Sequence, residues 1–566
     1  MLRLRSISRL LSSWLYVAVL SIFVSGLEQT DPTVRLGNTK LVGRGTIAPT
    51  SGVELEFFGG MRFGEPPVGS LRFQLPIPFK GYQSTTFNAT QYGAACLQPG
   101  TPDSSEDCLT INVFRPKGVH QGAKLPVMAW IYGGGFLVGR SYTYDGSGIV
   151  GNSVQRGTPV IFVNLNYRLG PFGFPQGVEA QERGALNLGL KDQLLALQWI
   201  QKNIEAFGGD RSKVTVFGQS AGAISIGSLF LNSGLEKVAR AAIFESGQAT
   251  TTFSPTRPSR QQDWVHFVEA VPACASLSRT MDTIPCLQKT DSATLIAALS
   301  AARSQSNEQF PWGPVIDGTG GMIPDLPSRL LERGAQSKIP FIAGTTLDEG
   351  TGFIPPTLNY TNAVVESLLF TNFTPPIVSA LSLDKAIDKI LELYPEVPSL
   401  GSPIGTGNET FGLSPGFKRI AMLFNDLAFQ ALRRSWSQVA AKSGVSSYAY
   451  LFTDPQLRPG APYLGVTHAD EVPYVFGATI VDPRTPVSSK QLSQMMMDYW
   501  TSFATSLTPN DGKGVPRPQW TEYTTRSQVL LELNGAKTQV IPDTYRKKQI
   551  AYINSNAPVF HHRRGE

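Results

Sequence analysis

The chain has 566 residues, of which 41% are hydrophobic and 16% are charged. This composition is typical of a globular protein with a large buried core, and it excludes intrinsically disordered and fibrous proteins. The formal net charge is +6, but no run of Lys and Arg with interleaved aromatic residues accompanies it. We therefore expect no nucleic-acid partner.

The first 26 residues have the order of a secretory signal peptide. They contain Arg3, Arg5 and Arg9, then an apolar run over residues 10–24, then Gly26. A membrane anchor is the alternative, but a spanning helix usually needs about 20 apolar residues, so we predict cleavage near Gly26 and release outside the cell. Removal takes away three arginines and no acidic residue, so the net charge falls from +6 to +3.

The elements that follow predict an α/β protein. Residues 33–58 alternate short β-branched and apolar runs with Gly-rich turns, which predicts an antiparallel meander. An apolar stripe predicts a helix at 189–207. Buried strands that alternate with helices indicate a mostly parallel central sheet covered on both faces. Continuous apolar runs predict these strands at 126–132, 160–165, 214–217, 241–244, 339–343 and 448–452.

Residues 370–416 are rich in Pro, Gly, Ser and Thr. We interpret this stretch as a surface excursion with a short helix at 383–393, rather than as a domain boundary. The C-terminal end has neither the apolar tail of a lipid anchor nor a retention tetrapeptide, so no stable membrane anchor is expected.

Cysteines and sequons agree with secretion. Three disulfide connectivities are possible, and the two local pairs would close with the least strain. No CxxC spacing or histidine cluster accompanies the cysteines, so no metal is expected. The cysteines are Cys96, Cys108, Cys274 and Cys286. Candidate N-glycosylation sites on surface loops are Asn88, Asn359, Asn372 and Asn408.

The motif at residues 218–222, Gly-Gln-Ser-Ala-Gly, lies between the predicted strand at 214–217 and an apolar helix from Ala221 onward. The GxSxG pattern alone is weak, but the order strand, elbow, helix is the geometry that exposes a serine oxygen above a sheet. The flanking glycines fit so tight a turn because they carry no side chain. Ser220 is therefore the candidate nucleophile.

A serine hydroxyl needs a base to accept its proton, and the chain has five histidines. In the order Ser, acid, His used by this fold class, the base follows the acid, which excludes His120. His266 lies too early, in an apparent amphipathic helix, while His561 and His562 lie in a terminal tuft that we expect to be solvated and mobile. His468 remains, in a turn-like segment.

The acid has two candidates from position alone. The predicted strand at 339–343 runs into a loop that contains Asp348 and Glu349, where catalytic loops of open sheets lie. Either carboxylate could orient the histidine, and both could instead cap the following turn. The oxyanion donors are expected in the triplet Gly133-Gly134-Gly135, directly after the strand at 126–132, and at the amide of Ala221, although a glycine triplet can also form a plain turn.

These motifs together resemble the type-B carboxylesterases, the group of fungal lipases, cholinesterases and animal carboxylesterases. Two signatures of the group are present whole, at residues 106–114 and 207–222. Further similar stretches bring the resemblance to nearly all of residues 30–550. They are Arg62-Phe63, residues 132–136, Asn166-Tyr167-Arg168, residues 184–193 and residues 468–477.

The resemblance implies an α/β-hydrolase fold in one large domain over residues 27–566, with no cofactor. It implies Glu349 as the acid and Gly134, Gly135 and Ala221 as oxyanion donors. It also implies the disulfides Cys96 to Cys108 and Cys274 to Cys286. Finally, it implies two structural ion pairs, Arg62 with Glu106 and Arg168 with Asp192.

The expected activity is hydrolysis of small carboxylic esters through an acyl-enzyme. Cholinesterases carry a glutamate before the nucleophile and a tryptophan in the first disulfide loop, whereas this chain has Gln219 and no aromatic residue there, so choline esters are not expected. A full lipase flap does not fit in the loop between Cys96 and Cys108, which predicts a site that stays open in solution. A lipase or sterol esterase, and a non-catalytic adhesion-type homologue, are the alternatives.

Overall fold

The computed structural model describes residues 31–231, 234–251, 260–306, 309–372 and 378–561. The predicted signal peptide, residues 1–26, and His562 lie outside the described residues. From Pro32 onward the described chain forms one compact unit. None of the described helices has both the length and the hydropathy needed to cross a bilayer.

An eleven-stranded sheet positions the functional residues. Its strands, in spatial order, are β16 (Gln539–Pro542), β15 (Val529–Leu533), β14 (Ser447–Phe452), β13 (Phe341–Thr346), β12 (Ala241–Glu245), β11 (Gly209–Gln219), β9 (Leu125–Ile131), β10 (Ile161–Leu165), β8 (Thr110–Pro116), β4 (Glu54–Arg62) and β3 (Arg44–Ile47). Two small sheets contain β1 (Thr33–Leu36), β2 (Thr39–Val42) and β5 (Thr86–Asn88), and β6 (Ala95–Cys96) with β7 (Ser104–Ser105).

The middle of the large sheet is parallel and its two edges are antiparallel. Strands β9 to β15 pair in parallel, and every residue of β10, β12, β13 and β14 is buried. Burial on both faces is what a parallel sheet covered by helices requires. The predicted α/β fold with a mostly parallel sheet is confirmed, and the carboxyl ends of its strands meet at one edge.

The predicted meander over residues 33–58 is wrong in its extent. Strands β1 and β2 pair with each other and with β5 in a separate sheet, whereas β3 and β4 form the antiparallel edge of the large sheet. The chain changes sheets at Gly43, where an added Cβ would lie 2.4 Å from the carbonyl oxygen of Phe57. Alternating apolar residues indicate strands but not which sheet each strand joins.

Helices connect the strands and pack on the sheet. The helix predicted at 189–207 is observed as Leu188–Asn203 with a 3₁₀ turn Ile204–Phe207. The other longer helices are Ser147–Gln155, Ala221–Phe230, Gln261–Glu269, Ser292–Gln305, Asn362–Asn372, Ala380–Leu393, Gly416–Asn425, Ala431–Lys442, Val487–Ser506 and Lys547–Ser555. Shorter helices are Gly170–Gly173, Gly177–Glu182, Thr283–Leu287, Pro327–Glu332, Val472–Val475, Ala478–Val481 and Ala557–Phe560.

The stretch interpreted as a surface excursion is more ordered than expected. The predicted helix at 383–393 begins earlier, as Ala380–Leu393. Its apolar residues Leu383, Ile387 and Ile390 are buried in a cluster with helix Gly416–Asn425. Their helical spacing buries one face, although the surrounding Pro and Gly residues had suggested a surface excursion.

The predicted solvated tuft at the C-terminus is also incorrect at its first residue. His561 is 3% exposed, and its Nε2 lies 2.9 Å from Oδ1 of Asn554. Burial lowers the pKa of His561 to about 4 because it disfavours the charged ring. His561 is therefore a packed side chain and is not solvated.

Candidate active site

Ser220 lies on a sharp turn between strand β11 and the helix Ala221–Phe230. Its backbone has φ 55° and ψ −126°, a conformation that a non-glycine residue adopts only under constraint. A Cβ added at Gly218 or Gly222 would lie 2.5 Å or 2.0 Å from the carbonyl oxygen of Ile131. Glycine is therefore required on both sides of Ser220, as in a nucleophile elbow.

His468 is held by Glu349. Its Nδ1 lies 2.5 Å from Oε2 of Glu349, and the other oxygen of that carboxylate accepts a 2.8 Å hydrogen bond from the backbone N–H of Thr346. Glu349 is completely buried. Since a carboxylate accepts at Nδ1, that nitrogen carries the proton and Nε2 presents its lone pair.

The lone pair of His468 faces Gln219 in this structure. Nε2 of His468 lies 3.0 Å from Nε2 of the Gln219 carboxamide. Among the described residues, no hydrogen bond joins the hydroxyl of Ser220 to His468. Contacts between a nucleophile and its base are often long or poorly aligned without substrate, so this geometry does not exclude Ser220 and His468 as such a pair.

Asp348 does not contact His468 but ties the surrounding loops together. Its carboxylate accepts hydrogen bonds from Ser402 Oγ at 2.7 Å, from Ile404 N–H at 2.8 Å and from Val466 N–H at 3.1 Å. Burial raises the pKa of Asp348 to about 6. Of the two carboxylates left open by position, Glu349 faces the histidine and Asp348 anchors the loop that carries it.

Two phenyl rings enclose the imidazole of His468. The rings of Phe353 and Phe429 have centroids 4.8 Å and 4.9 Å from it. Phe429 lies on a π-helical turn, Asp426–Gln430, and Gln430 fixes this turn through hydrogen bonds to Thr345 and Thr346 of β13. Such turns recur at functional sites because they re-aim a side chain within a helix. The sequence gives no local signal for this one.

Two further carboxyl groups lie buried behind Glu349. Glu245 accepts a 2.7 Å hydrogen bond from the indole of Trp500, and burial raises the pKa of Glu245 to about 8. Glu471 accepts a 3.3 Å hydrogen bond from Ser246, and burial beside Glu349 raises the pKa of Glu471 well above its usual range. In both groups burial thus favours the protonated form.

The glycines after β9 lie against Ser220. A Cβ added at Gly133 would be 2.8 Å from Cβ of Ser220. Gly134 and Gly135 have φ of 115° and 62°, and a Cβ at Gly135 would be 2.3 Å from the ring of Phe310. With Ala221 at a helix N-terminus, these residues form the kind of backbone site that binds an oxyanion.

A narrow apolar cavity opens onto Ser220. Besides the serine, Thr251 supplies the one other polar side chain of its described lining, so the cavity favours apolar substituents of a substrate. The lining consists of Gly135, Phe136, Ser220, Ala221, Ile224, Thr251, Phe310, Phe353, Phe424 and Phe429.

The loop between Cys96 and Cys108 is held in place by its disulfide and by hydrogen bonds. The structure pairs Cys96 with Cys108 at an S–S distance of 2.03 Å, and Cys274 with Cys286 at 1.98 Å. Gln98 donates to the carbonyl of Gly139 at 2.8 Å and accepts from its N–H at 2.9 Å. Leu97 is 4% exposed, in a cluster with Trp264. No described residue between the first two cysteines lines the cavity.

One predicted ion pair is wrong and the other is confirmed. Arg62 pairs with Asp107, and the partner of Glu106 is Arg72 at 2.5 Å. The guanidinium of Arg72 is buried and also donates to the carbonyl of Thr290. This second contact holds it beside Glu106, in the position predicted for Arg62. Arg168 pairs with Asp192 at 2.6 Å, as expected.

Three of the four candidate glycosylation sites are exposed in the structure. Asn88, Asn359 and Asn408 are exposed, as a glycan acceptor must be. The side chain of Asn372 lies outside the described residues, and glycosylation of all four sites stays a prediction. In the described ranges, no group of three or more His, Cys, Asp or Glu side chains is placed to hold a metal.

Comparison with known proteins adds independent information. A family model described as "Carboxylesterase family" matches residues 30–553. Lipase 2 of Geotrichum candidum is 32% identical over 90% of this chain and 93% of its own. Secreted lipase 1 of Botryotinia fuckeliana is 33% identical over 91% and 92%. The inactive carboxylesterase-like protein VdtD of Byssochlamys spectabilis is 34% identical over 82% of each chain.

Solved structures show the same fold. EstA of Aspergillus niger superimposes with a TM-score of 0.77 at 26% identity, covering 93% of this chain and 98% of its own. A PNB esterase superimposes with a TM-score of 0.74 at 29% identity, covering 92% and 100%.

Proposed function

The chain belongs to the carboxylesterase family and is a carboxylic ester hydrolase, and we propose that it acts through a triad of Ser220, His468 and Glu349. The observation that carries this proposal is the 2.5 Å contact between His468 and Glu349, made beside a serine on a nucleophile elbow. A histidine held by a buried carboxylate next to such a serine is the arrangement that activates a hydroxyl.

The first half of the reaction forms an acyl-enzyme. Ser220 Oγ attacks the ester carbonyl while His468 Nε2 takes the hydroxyl proton. Glu349 stabilises the resulting imidazolium from Nδ1. The N–H groups of Gly134, Gly135 and Ala221 bind the oxyanion, and His468 then gives its proton to the leaving alcohol.

The second half hydrolyses the acyl-enzyme. Water takes the place of the alcohol, His468 Nε2 removes its proton, and the hydroxide attacks the acyl carbonyl in the same oxyanion site. Collapse of the tetrahedral intermediate releases the carboxylic acid, and His468 returns the proton to Ser220 Oγ.

A non-catalytic role is the alternative from another class, because one relative is named as inactive. Retention of Ser220, His468 and Glu349 in one site favours the enzyme. Extracellular location is part of the proposal: relatives are named as secreted, and two disulfides fit an oxidising compartment.

The substrates we propose are dissolved esters with short to medium acyl chains. Relatives are named as lipases, but here Leu97 is buried and Gln98 holds the disulfide loop to Gly139. A flap that opens at a lipid surface must be free to move and must expose apolar area. This loop has neither property, so the site does not depend on an interface.

We expect the hydrolysis rate of a short-chain triglyceride to follow ordinary saturation as its concentration passes the solubility limit. The measurement is initial rate against concentration, with a fully soluble ester of the same acid as control. A sharp rise in rate at the onset of emulsion would contradict the open site and favour a lipase whose lid is another loop.

A further inference from the structure

Gln219 occupies an unusual place for a residue that is neither nucleophile nor base. It is the last residue of β11, directly before Ser220, and it is 5% exposed. Its side-chain oxygen lies near Gly133, 3.1 Å from where a Cβ on that glycine would stand. Its side-chain nitrogen lies 3.0 Å from Nε2 of His468. The carboxamide thus fills the space between the oxyanion loop and the base.

The direction of the hydrogen bond follows from the other side of the ring. Because Nδ1 is committed as a donor to Glu349, Nε2 of the neutral imidazole has only a lone pair to offer. The carboxamide must therefore present its N–H to this nitrogen and not its oxygen. This is the same lone pair that accepts the proton of Ser220 in the proposed reaction.

On the basis of the proposed function, we propose that Gln219 is a positioning residue that holds the lone pair of His468 in the free enzyme and keeps the imidazole unprotonated. An N–H donor is compatible only with the neutral ring, whereas a carboxylate at the same place would accept from, and stabilise, the imidazolium. When substrate binds, the Ser220 hydroxyl replaces the Gln219 N–H at Nε2. The exchange makes and breaks hydrogen bonds only.

Other ionisable groups interact with Glu349, the hydrogen-bond partner of His468, or with one another nearby. They are Asp348, Asp470, Glu471, Glu245 and Tyr450. Asp470 pairs with Arg458, Asp348 accepts from the Val466 N–H, and burial raises the pKa of Tyr450 well above its usual range. None of these groups hydrogen-bonds to the described carboxamide of Gln219, so their influence is common to the wild type and to variants at 219.

The test compares pH profiles of Gln219→Glu and Gln219→Met with the wild type. The profiles are kcat/KM for a soluble ester and the rate of inactivation by a fluorophosphonate. In Gln219→Glu the acid limb should move to higher pH by about one unit, as expected for a carboxylate within hydrogen-bond distance. Gln219→Met keeps the length of the side chain but has neither an N–H donor nor a charge. The acid limb of its profile should therefore move to higher pH by less than that of Gln219→Glu.

The chain offers a matched control in Gln262. Its carboxamide nitrogen lies 2.7 Å from Nε2 of His266 on the surface helix Gln261–Glu269. Gln262→Glu therefore makes the same change beside a histidine that we place outside the site, and its acid limb should superimpose on that of the wild type.

Profiles of Gln219→Glu and Gln219→Met that both superimpose on the wild type would overturn the inference, and if the first variant does not fold, the second decides alone. Failure of the proposed function is distinguishable, because it would appear as a wild type without activity. Titration of ¹³C-labelled histidine by NMR gives a readout that needs no activity. The chain has five histidines, so the spectrum contains few signals. There too the His468 signal should titrate at higher pH in Gln219→Glu.

Discussion

Replacement of Ser220 by alanine is expected to lower kcat by a factor on the order of 10⁶, toward the residual rate that oxyanion binding alone supports. The substitution removes the hydroxyl that we propose as the attacking group, and no other described hydroxyl occupies the same elbow. Steady-state and single-turnover rates on a soluble ester measure the loss, and circular dichroism confirms that the fold is retained.

Ser228→Ala is the matched control for this substitution. Ser228 lies on the helix that follows Ser220, is 3% exposed, and donates to the carbonyl of Ile224 within that helix at 3.0 Å. Its replacement removes a hydroxyl of the same kind at little cost to the site, so activity should stay close to that of the wild type. A Ser220→Ala variant with a tenth of the wild-type activity would exclude Ser220 as the nucleophile.

Glu349→Gln is expected to lower kcat about 10⁴-fold, the loss typical when the carboxylate of a triad becomes an amide. The amide leaves the imidazolium without a counter-charge and no longer fixes the tautomer with the proton on Nδ1. The same assay on Asp348→Asn should show activity within about tenfold of the wild type, but a free energy of unfolding lower by about 1–3 kcal/mol, because at least one of the three donors that Asp348 binds, one hydroxyl and two N–H groups, loses its acceptor.

We thus propose a catalytic role for Glu349 and a structural role for its neighbour Asp348. Glu349→Asp adds a control, since it keeps the charge but shortens the reach to His468 and should retain more activity than Glu349→Gln. If Asp348→Asn were crippled at a temperature where it is folded, while Glu349→Gln stayed active, the roles assigned to the two carboxylates would be reversed.

Local sequence signals were sufficient for the parts of the site that depend on neighbouring residues. The elbow at Ser220 follows from a strand, a GxSxG turn and a helix in direct succession. The glycines after β9 follow from their place behind a buried strand. Each of these features is encoded within about ten residues, where strand and turn chemistry decide the conformation.

Features that depend on contacts distant along the chain could not be predicted in the same way. Position alone left Asp348 and Glu349 equivalent, and Glu349 was implied only by the family resemblance. In the structure they differ in their contacts with a segment more than 100 residues away, because Val466 donates to Asp348 whereas His468 contacts Glu349. Glu106 pairs with Arg72 and not with the predicted Arg62, because the buried guanidinium of Arg72 also binds backbone carbonyls nearby. Sequence periodicity carries no information on which of two nearby arginines reaches a given carboxylate.

The contact between Gln219 and His468 belongs to the same class. The two residues are 249 positions apart, and the sequence showed only that Gln219 precedes the nucleophile. Likewise, the π-helical turn that places Phe429 on the imidazole is set by hydrogen bonds from Gln430 to β13. Strained or irregular backbone at a site is where local propensity is least informative.

The most direct test of the central claim is covalent labelling of the intact protein by a fluorophosphonate, followed by mass spectrometry of its peptides. We predict one adduct per chain, located on Ser220, and no adduct on the Ser220→Ala variant. An unlabelled wild type would contradict this claim and favour a non-catalytic member of the family, and an adduct on another serine that persists in Ser220→Ala would contradict Ser220 as the nucleophile.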